Sequence, residues 1–265
     1  MNEELVDLAQ VERRAAAVSA VRRVVHAIWA LARAQLPRVE ASAVSAAQYI
    51  EAVEGLVNRL AEPAAPVAEQ DVLKVVLGPE RSFCGSLHRQ IVAALPAEGP
   101  LGIVGRRVEG ALGPAEAARV VFVLPGPTTV DEIGEVARAI AQAVLLRRDA
   151  QAVELLVPHL RGGDDGLRRV PLLSGHRRVV AEPPETFSPV DEVLDAAVLE
   201  LVTGHVVAAL TDALRAEVQA RIIAADGARQ ACDTRLEALE QARRVLRKEE
   251  LTDEILELVA GQLSG

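Results

Sequence analysis

Rings are scarce in this sequence. Aromatic residues make up 2% of its 265 positions, and cysteine occurs only twice, at Cys84 and Cys232. A chain dominated by Ala, Val, Leu and Arg instead favours helices packed closely through small side chains. Two thiols so far apart in sequence read most plainly as free groups in a reducing compartment, although one pair could in principle bridge. The five histidines, His26, His88, His159, His176 and His205, include no HExxH and no close pair. With two distant cysteines they make no metal-ligand set. No uninterrupted apolar run approaches about 18 residues, so no membrane span is expected. The opening stretch MNEELVDLAQ is acidic and has no signal-peptide pattern. Basic charge is in deficit as well: the net charge is −9. Basic spots such as GHRRVV and RRDA carry no interleaved aromatics, so a nucleic-acid surface is not expected.

What is abundant is apolar surface on a period. Half of the residues are hydrophobic, enough for a sizeable core. Stepping alternately by four and three from Val11, through Val18, Val25, Trp29, Ala32, Val39, Ile50 and Val57 to Leu60, meets an apolar side chain at every position except Arg22. A stripe held over about seven heptads signals a coiled coil rather than an ordinary surface helix. At ~1.5 Å per residue that helix is roughly 85 Å long. Pro37 is expected to kink it or to break it into two ordinary helices.

The segment EPAAPVAEQ, from Glu62 to Gln70, breaks the pattern. After it come short apolar runs: VLKVVL (Val72 to Leu77), LGIV (Leu101 to Val104), RVVFVL (Arg119 to Leu124), AVELLV (Ala152 to Val157) and, less clearly, RRVPLL (Arg168 to Leu173). These read as buried strands. SLHRQIVAAL and TVDEIGEVARAIAQAVLLRR read as helices, the second capped by Thr128 or Thr129, and RGGDDG and AEPPETFSP read as loops. Ser188-Pro189-Val190-Asp191-Glu192 then opens a second long helical stretch, weakened locally by Gly204 and Gly227. Some 75 residues of it imply roughly 110 Å if continuous. The expected fold class is α/β. An N-terminal coiled-coil helix (1–61) and a C-terminal one (188–262) pair in antiparallel fashion. Between them lies a small Rossmann-like α/β domain (70–180) with a mainly parallel sheet.

Catalytic chemistry is hard to place on these residues. Residues 78–90, GPERSFCGSLHRQ, join a strand to a helix, which is where phosphate often binds. Yet there is no GxGxxG and no terminal Gly-Lys-Ser/Thr, and Glu80 puts an anion where phosphate would go. Cys84 has His88 four residues on, but no further acid or base is tied to it by sequence, so a small packed residue is the plainer reading. The run Glu249, Glu250, Asp253, Glu254 and Glu257 reads as a solvated helix face.

Three stretches carry a resemblance to a known family. RSFCGSLH resembles the Arg-Gly-Leu-Cys-Gly-Gly-Leu-Asn turn that follows the first strand in the gamma subunit of F-type rotary ATP synthases. HAIWALARAQLPRVEASAVSAAQY, from His26 to Tyr49, fits that family's N-terminal helix without a gap. EVQARIIAADGARQA and LTDEILELVAG are similar to its last helix and its ending. The resemblance implies a rotor shaft without catalytic residues or cofactor. Its two terminal helices would turn inside a ring of alpha and beta subunits, and its α/β foot would sit with the epsilon subunit on the c-ring. By motif, Tyr49 and Glu182 fall at the foot positions facing the c-ring, and Arg81, Cys84 and Gly85 lie in the family loop. The resemblance also implies that the C-terminal tip meets the alpha/beta collar: an apolar face of Leu251, Ile255, Leu258 and Val259, preceded by the basic cluster Arg243, Arg244, Arg247 and Lys248. His26, Trp29, Gln35, Pro37 and Ile222 depart from the usual Lys, Met and Arg positions. These departures fit a divergent member, as in alternate bacterial ATPases, peripheral at the cytoplasmic face of the inner membrane. Two other classes compete: an enzymatic or nucleotide-binding α/β domain with helical dimerisation arms, and a plain coiled-coil adaptor.

Overall fold

The computed structural model describes residues 7–62, 72–145, 152–159, 166–174 and 179–263. The first six residues, most of the Glu62-to-Gln70 breaker, the RGGDDG loop up to its last glycine, all of RRDA, and His176 lie outside the described residues. By contact density the chain forms two compact units, one of residues 1–31 with 222–265 and one of residues 32–221.

Helix α1 runs from Leu8 to Leu60 without a break. Every position of the apolar stripe is buried or half-buried except Arg22. Pro37 lies inside the helix rather than ending it. It sits on the exposed face, where water can take over hydrogen bonding that the helix loses, so the cost of proline is smallest there. Helix α6 spans Val190–Leu263, again through both glycines. In the first unit, Glu12 of α1 pairs with Arg243 and Arg247 of α6, and Arg22 pairs with Asp233. Rising numbers on one helix meet falling numbers on the other, so the two run antiparallel. Each long helix also contains a window long and apolar enough, by composition, to cross a bilayer. A count of uninterrupted apolar runs misses such windows.

In the second unit, α1 and α6 again pack together, through Val57, Leu60, Ala61, Leu194, Ala197 and Leu201. Beside them lies a five-stranded sheet. Its strands are β1 (Val72–Leu77), β2 (Leu101–Val104), β3 (Val120–Leu124), β4 (Ala152–Pro158) and β5 (Leu167–Ser174), in the order β3-β2-β1-β4-β5. Only the β4–β5 pairing is antiparallel, so the expected α/β class with a mainly parallel sheet holds. The helices α2 (Leu87–Ala93), α3 (Arg106–Glu109), α4 (Pro114–Ala117) and α5 (Ile133–Leu145) connect the strands. The two four-residue helices, α3 and α4, are too short to show a sequence period. Helix α5 opens differently from the simple Thr cap: a 3-10 turn, Val130–Glu132, precedes it, and the Glu132 carboxylate accepts the backbone N–H of Thr128 at 2.7 Å. The residue after β1, Gly78, must be glycine on space alone. A Cβ there would stand 2.2 Å from the Val108 side chain.

Candidate functional site

The loop of residues 78–90 leaves the carboxyl end of β1 beside β4. The strand order reverses there, and open α/β sheets bind their ligands at such a place. In this chain the place is filled from inside. Glu217 of α6, only 2% exposed, accepts hydrogen bonds from the backbone N–H of Glu80 (2.9 Å) and of Arg81 (3.3 Å). Arg221, one turn further on, donates to the same carboxylate, and its Nε reaches the Ser82 carbonyl at 3.5 Å. Glu80 repeats the device. Its own carboxylate accepts the N–H of Arg106 (3.1 Å) and of Gly126 (2.9 Å) and pairs with the Arg106 guanidinium (3.1 Å). Amides following β1, β2 and β3 are thus each satisfied by a carboxylate of the protein, the role that phosphate plays in a binding loop. A nucleotide arriving here would meet two anions at amides already in use. Burial pushes the Glu217 carboxyl up, opposed by Arg221 and the two N–H donors.

Cys84 sits at the turn. Phe83 and Gly85 on either side have φ of 63° and 59°, a left-handed path that bends the chain sharply and sends the thiol inward. It packs with Leu87, Ile91 and Val108, 3.9 Å from His88 Nδ1. Burial, and then the nearby Glu217 charge, push the thiol up. Burial, and then Arg107 and Arg89, push His88 down. Both shifts favour the neutral forms, so the pair is not a thiolate with an imidazolium. Arg81 contributes its backbone N–H to Glu217 while its side chain is exposed. Among the described residues no cluster of three His, Cys, Asp or Glu could hold a metal.

At the other end of α6, Leu251, Ile255, Leu258 and Val259 are between 49% and 69% exposed, and Leu256 joins them. Two of the four basic residues before them are engaged across the coil: Arg247 with Glu12 at 3.2 Å and Arg243 with the same carboxylate at 4.0 Å. Arg244 pairs with Glu240 on its own helix, and Lys248 is exposed. The tip is therefore less basic than its sequence. Tyr49 donates its hydroxyl to Glu200, and its ring lies against the face of α6 at Gly204. Glu182 is exposed in a bend before α6. The structure brings neither of these two to the other.

Sequence reasoning missed Glu217 and Arg221. Their signal was present: a Glu and an Arg four residues apart inside a helical run whose neighbours Ala216, Val218 and Ala220 are all buried. A charge pair on a buried face needs a partner elsewhere.

Comparison with known proteins bears on the family and the fold. The family described as ATP synthase matches residues 7–264. No curated relative matches the sequence. Among solved structures, a chain of the Euglena gracilis mitochondrial ATP synthase OSCP/F1/c-ring assembly superposes with a TM-score of 0.67 at 12% identity, covering 97% of this chain and 94% of that one. A chain of the Euglena rotor gives 0.64 at 11% identity, covering 92% and 98%. A chain of the Tetrahymena thermophila central stalk with its c-ring gives 0.55 at 12% identity, covering 77% and 99%. A family match from residue 7 to residue 264 takes in both long helices and the sheet between them, and with it the chain belongs to the ATP synthase family as a gamma, central-stalk subunit.

Proposed function

We propose that the chain is the non-catalytic rotor shaft of an F-type ATPase, coupling ion flow through a membrane ring to ATP synthesis or hydrolysis on beta subunits. The observation that carries this is the end of α6. Leu251, Ile255, Leu256, Leu258 and Val259 form an apolar surface that no described part of the chain covers. A collar of alpha and beta subunits is the partner suited to it. In this reading residues 1–61 and 188–262 are the shaft and residues 70–180 the foot, which meets the epsilon subunit and the c-ring near Tyr49 and Glu182. The self-occupied amides of the sheet support a non-catalytic role and weigh against a nucleotide-binding α/β domain. The proposed location is the cytoplasmic face of a bacterial inner membrane, peripheral to it. This rests on the departures from the usual family residues; the solved relatives named above are mitochondrial. The test is co-expression with alpha and beta subunits. The full chain should co-purify with them, and truncation after Glu250 should weaken assembly and coupling while leaving some ATP hydrolysis. A truncated chain that assembles and couples normally overturns the role of the tip.

A further inference from the structure

Glu217 is an expensive residue to bury, and packing alone gives no reason for it. An apolar side chain of the same size would fill the space at lower cost. Around it the buried face of α6 mixes small residues, Ala213, Ala216 and Ala220, with Leu210 and Leu214, and Ala220 enters the core of the sheet domain beside Cys84 and Ile91. Such a face adheres, but its apolar contacts are non-directional. It resists separation and offers little against a helix sliding along its axis or turning about it. Directional bonds supply what such a face lacks. The Glu217 carboxylate receives two backbone N–H groups of the loop after β1, and Arg221 fastens the same carboxylate to the helix and to the Ser82 carbonyl. Glu80, whose N–H is one of the two, passes the connection through its own carboxylate to Arg106 and Gly126, the loops after β2 and β3. One helix position is thereby tied to three strands. A second polar fastening between α6 and the sheet, Arg168 to Asp212, has a half-exposed arginine and is weakened by solvent.

We propose that Glu217 is the positioning residue that locks the shaft helix to the foot, so that torque passes between them without slip. The proposal rests on the rotor-shaft reading and adds the residue through which the shaft holds the foot.

The experiment uses the full chain, alone and assembled with alpha, beta, epsilon and c subunits in vesicles. Three variants are compared with wild type. Glu217→Gln keeps the shape and removes the charge, Glu217→Ala removes the group, and Asp212→Asn breaks the exposed pair as a control. In the chain alone, the Glu80 and Arg81 amides should exchange hydrogen about tenfold faster in Glu217→Gln than in wild type. In the assembled complex this variant should hydrolyse ATP yet pump at least about threefold fewer ions per ATP, because one of the two backbone bonds loses its acceptor and the other loses its charge assistance. Asp212→Asn should couple as wild type does. Acetate should slow part of the accelerated exchange in Glu217→Ala by entering the vacated position. Full coupling in Glu217→Gln, beside a coupled wild type, overturns the positioning role and leaves the rotor reading intact. So does unchanged exchange at Glu80 and Arg81. A wild type that does not assemble with alpha and beta overturns the rotor reading and the positioning role together.

Discussion

At Cys84 the local physics runs against reactivity on two counts: the thiol is 3% exposed, and a buried carboxylate lies close enough to disfavour a second negative charge. A helix N-terminus and nearby arginines, which in sequence suggest an activated thiol, do not outweigh burial. Cys84→Ala should therefore leave the turnover of an assembled complex within about threefold of wild type, and alkylation of the native chain near neutral pH should label Cys232 well before Cys84. A hundredfold loss of turnover with assembly intact would assign Cys84 a chemical role. Glu132 shows the opposite balance. Its bond from the Thr128 N–H, opposed in part by burial, holds its carboxyl below the usual range. A depressed folded-state value means stability that is present above the unfolded pKa of roughly 4.3 and lost as pH falls through the folded value. Urea unfolding of wild type and Glu132→Gln should thus differ near neutral pH and converge in acid.

The long helices carry their weak points on purpose-free ground, as far as their own packing goes. Gly227 faces open space, with nothing within 4 Å of a Cβ, and at Gly204 a Cβ would reach the Tyr49 ring at an ordinary 3.4 Å. Helix propensity then dominates: Gly227→Ala and Gly204→Ala should each stabilise the chain by up to about 1 kcal/mol. Pro37→Ala, on the exposed face of a continuous helix, should stabilise by up to about 3 kcal/mol. Thermal unfolding of the free chain measures all three. A drop in Tm for Gly204→Ala would mean that the Tyr49 contact is tighter than its distance suggests. These helices were the most legible part of the sequence, because one stripe repeated many times leaves few other ways to bury it. The short helices α3 and α4 and the 3-10 turn before α5 were not, since four residues or fewer hold barely one period.

For the chain as a whole, charge at the tip of α6 separates what the protein does alone from what it does in company. Arg247→Glu breaks the pair with Glu12, but both partners are about half exposed, so the free chain should lose less than about 1 kcal/mol. In an assembled complex the double reversal of Arg247 and Lys248 should slow turnover more at low salt than at high salt, because exposed charges act over distances that salt screens. No effect at any salt would remove the basic cluster from the drive contact. Periodicity decided the two long helices, because a repeated stripe must face a core, and strands alternating with helices decided a mainly parallel sheet, because parallel strands need a crossover between them. The meaning of the loop after β1 could not be decided that way. Its amides are bound by a carboxylate 137 positions later in the chain, and only the fold brings the two together. The same holds for Arg243 and Arg247, a free basic cluster by sequence and a pair of partners for Glu12 once the helices run antiparallel. Local pattern sets which face of an element is buried; what lies opposite that face belongs to the tertiary structure.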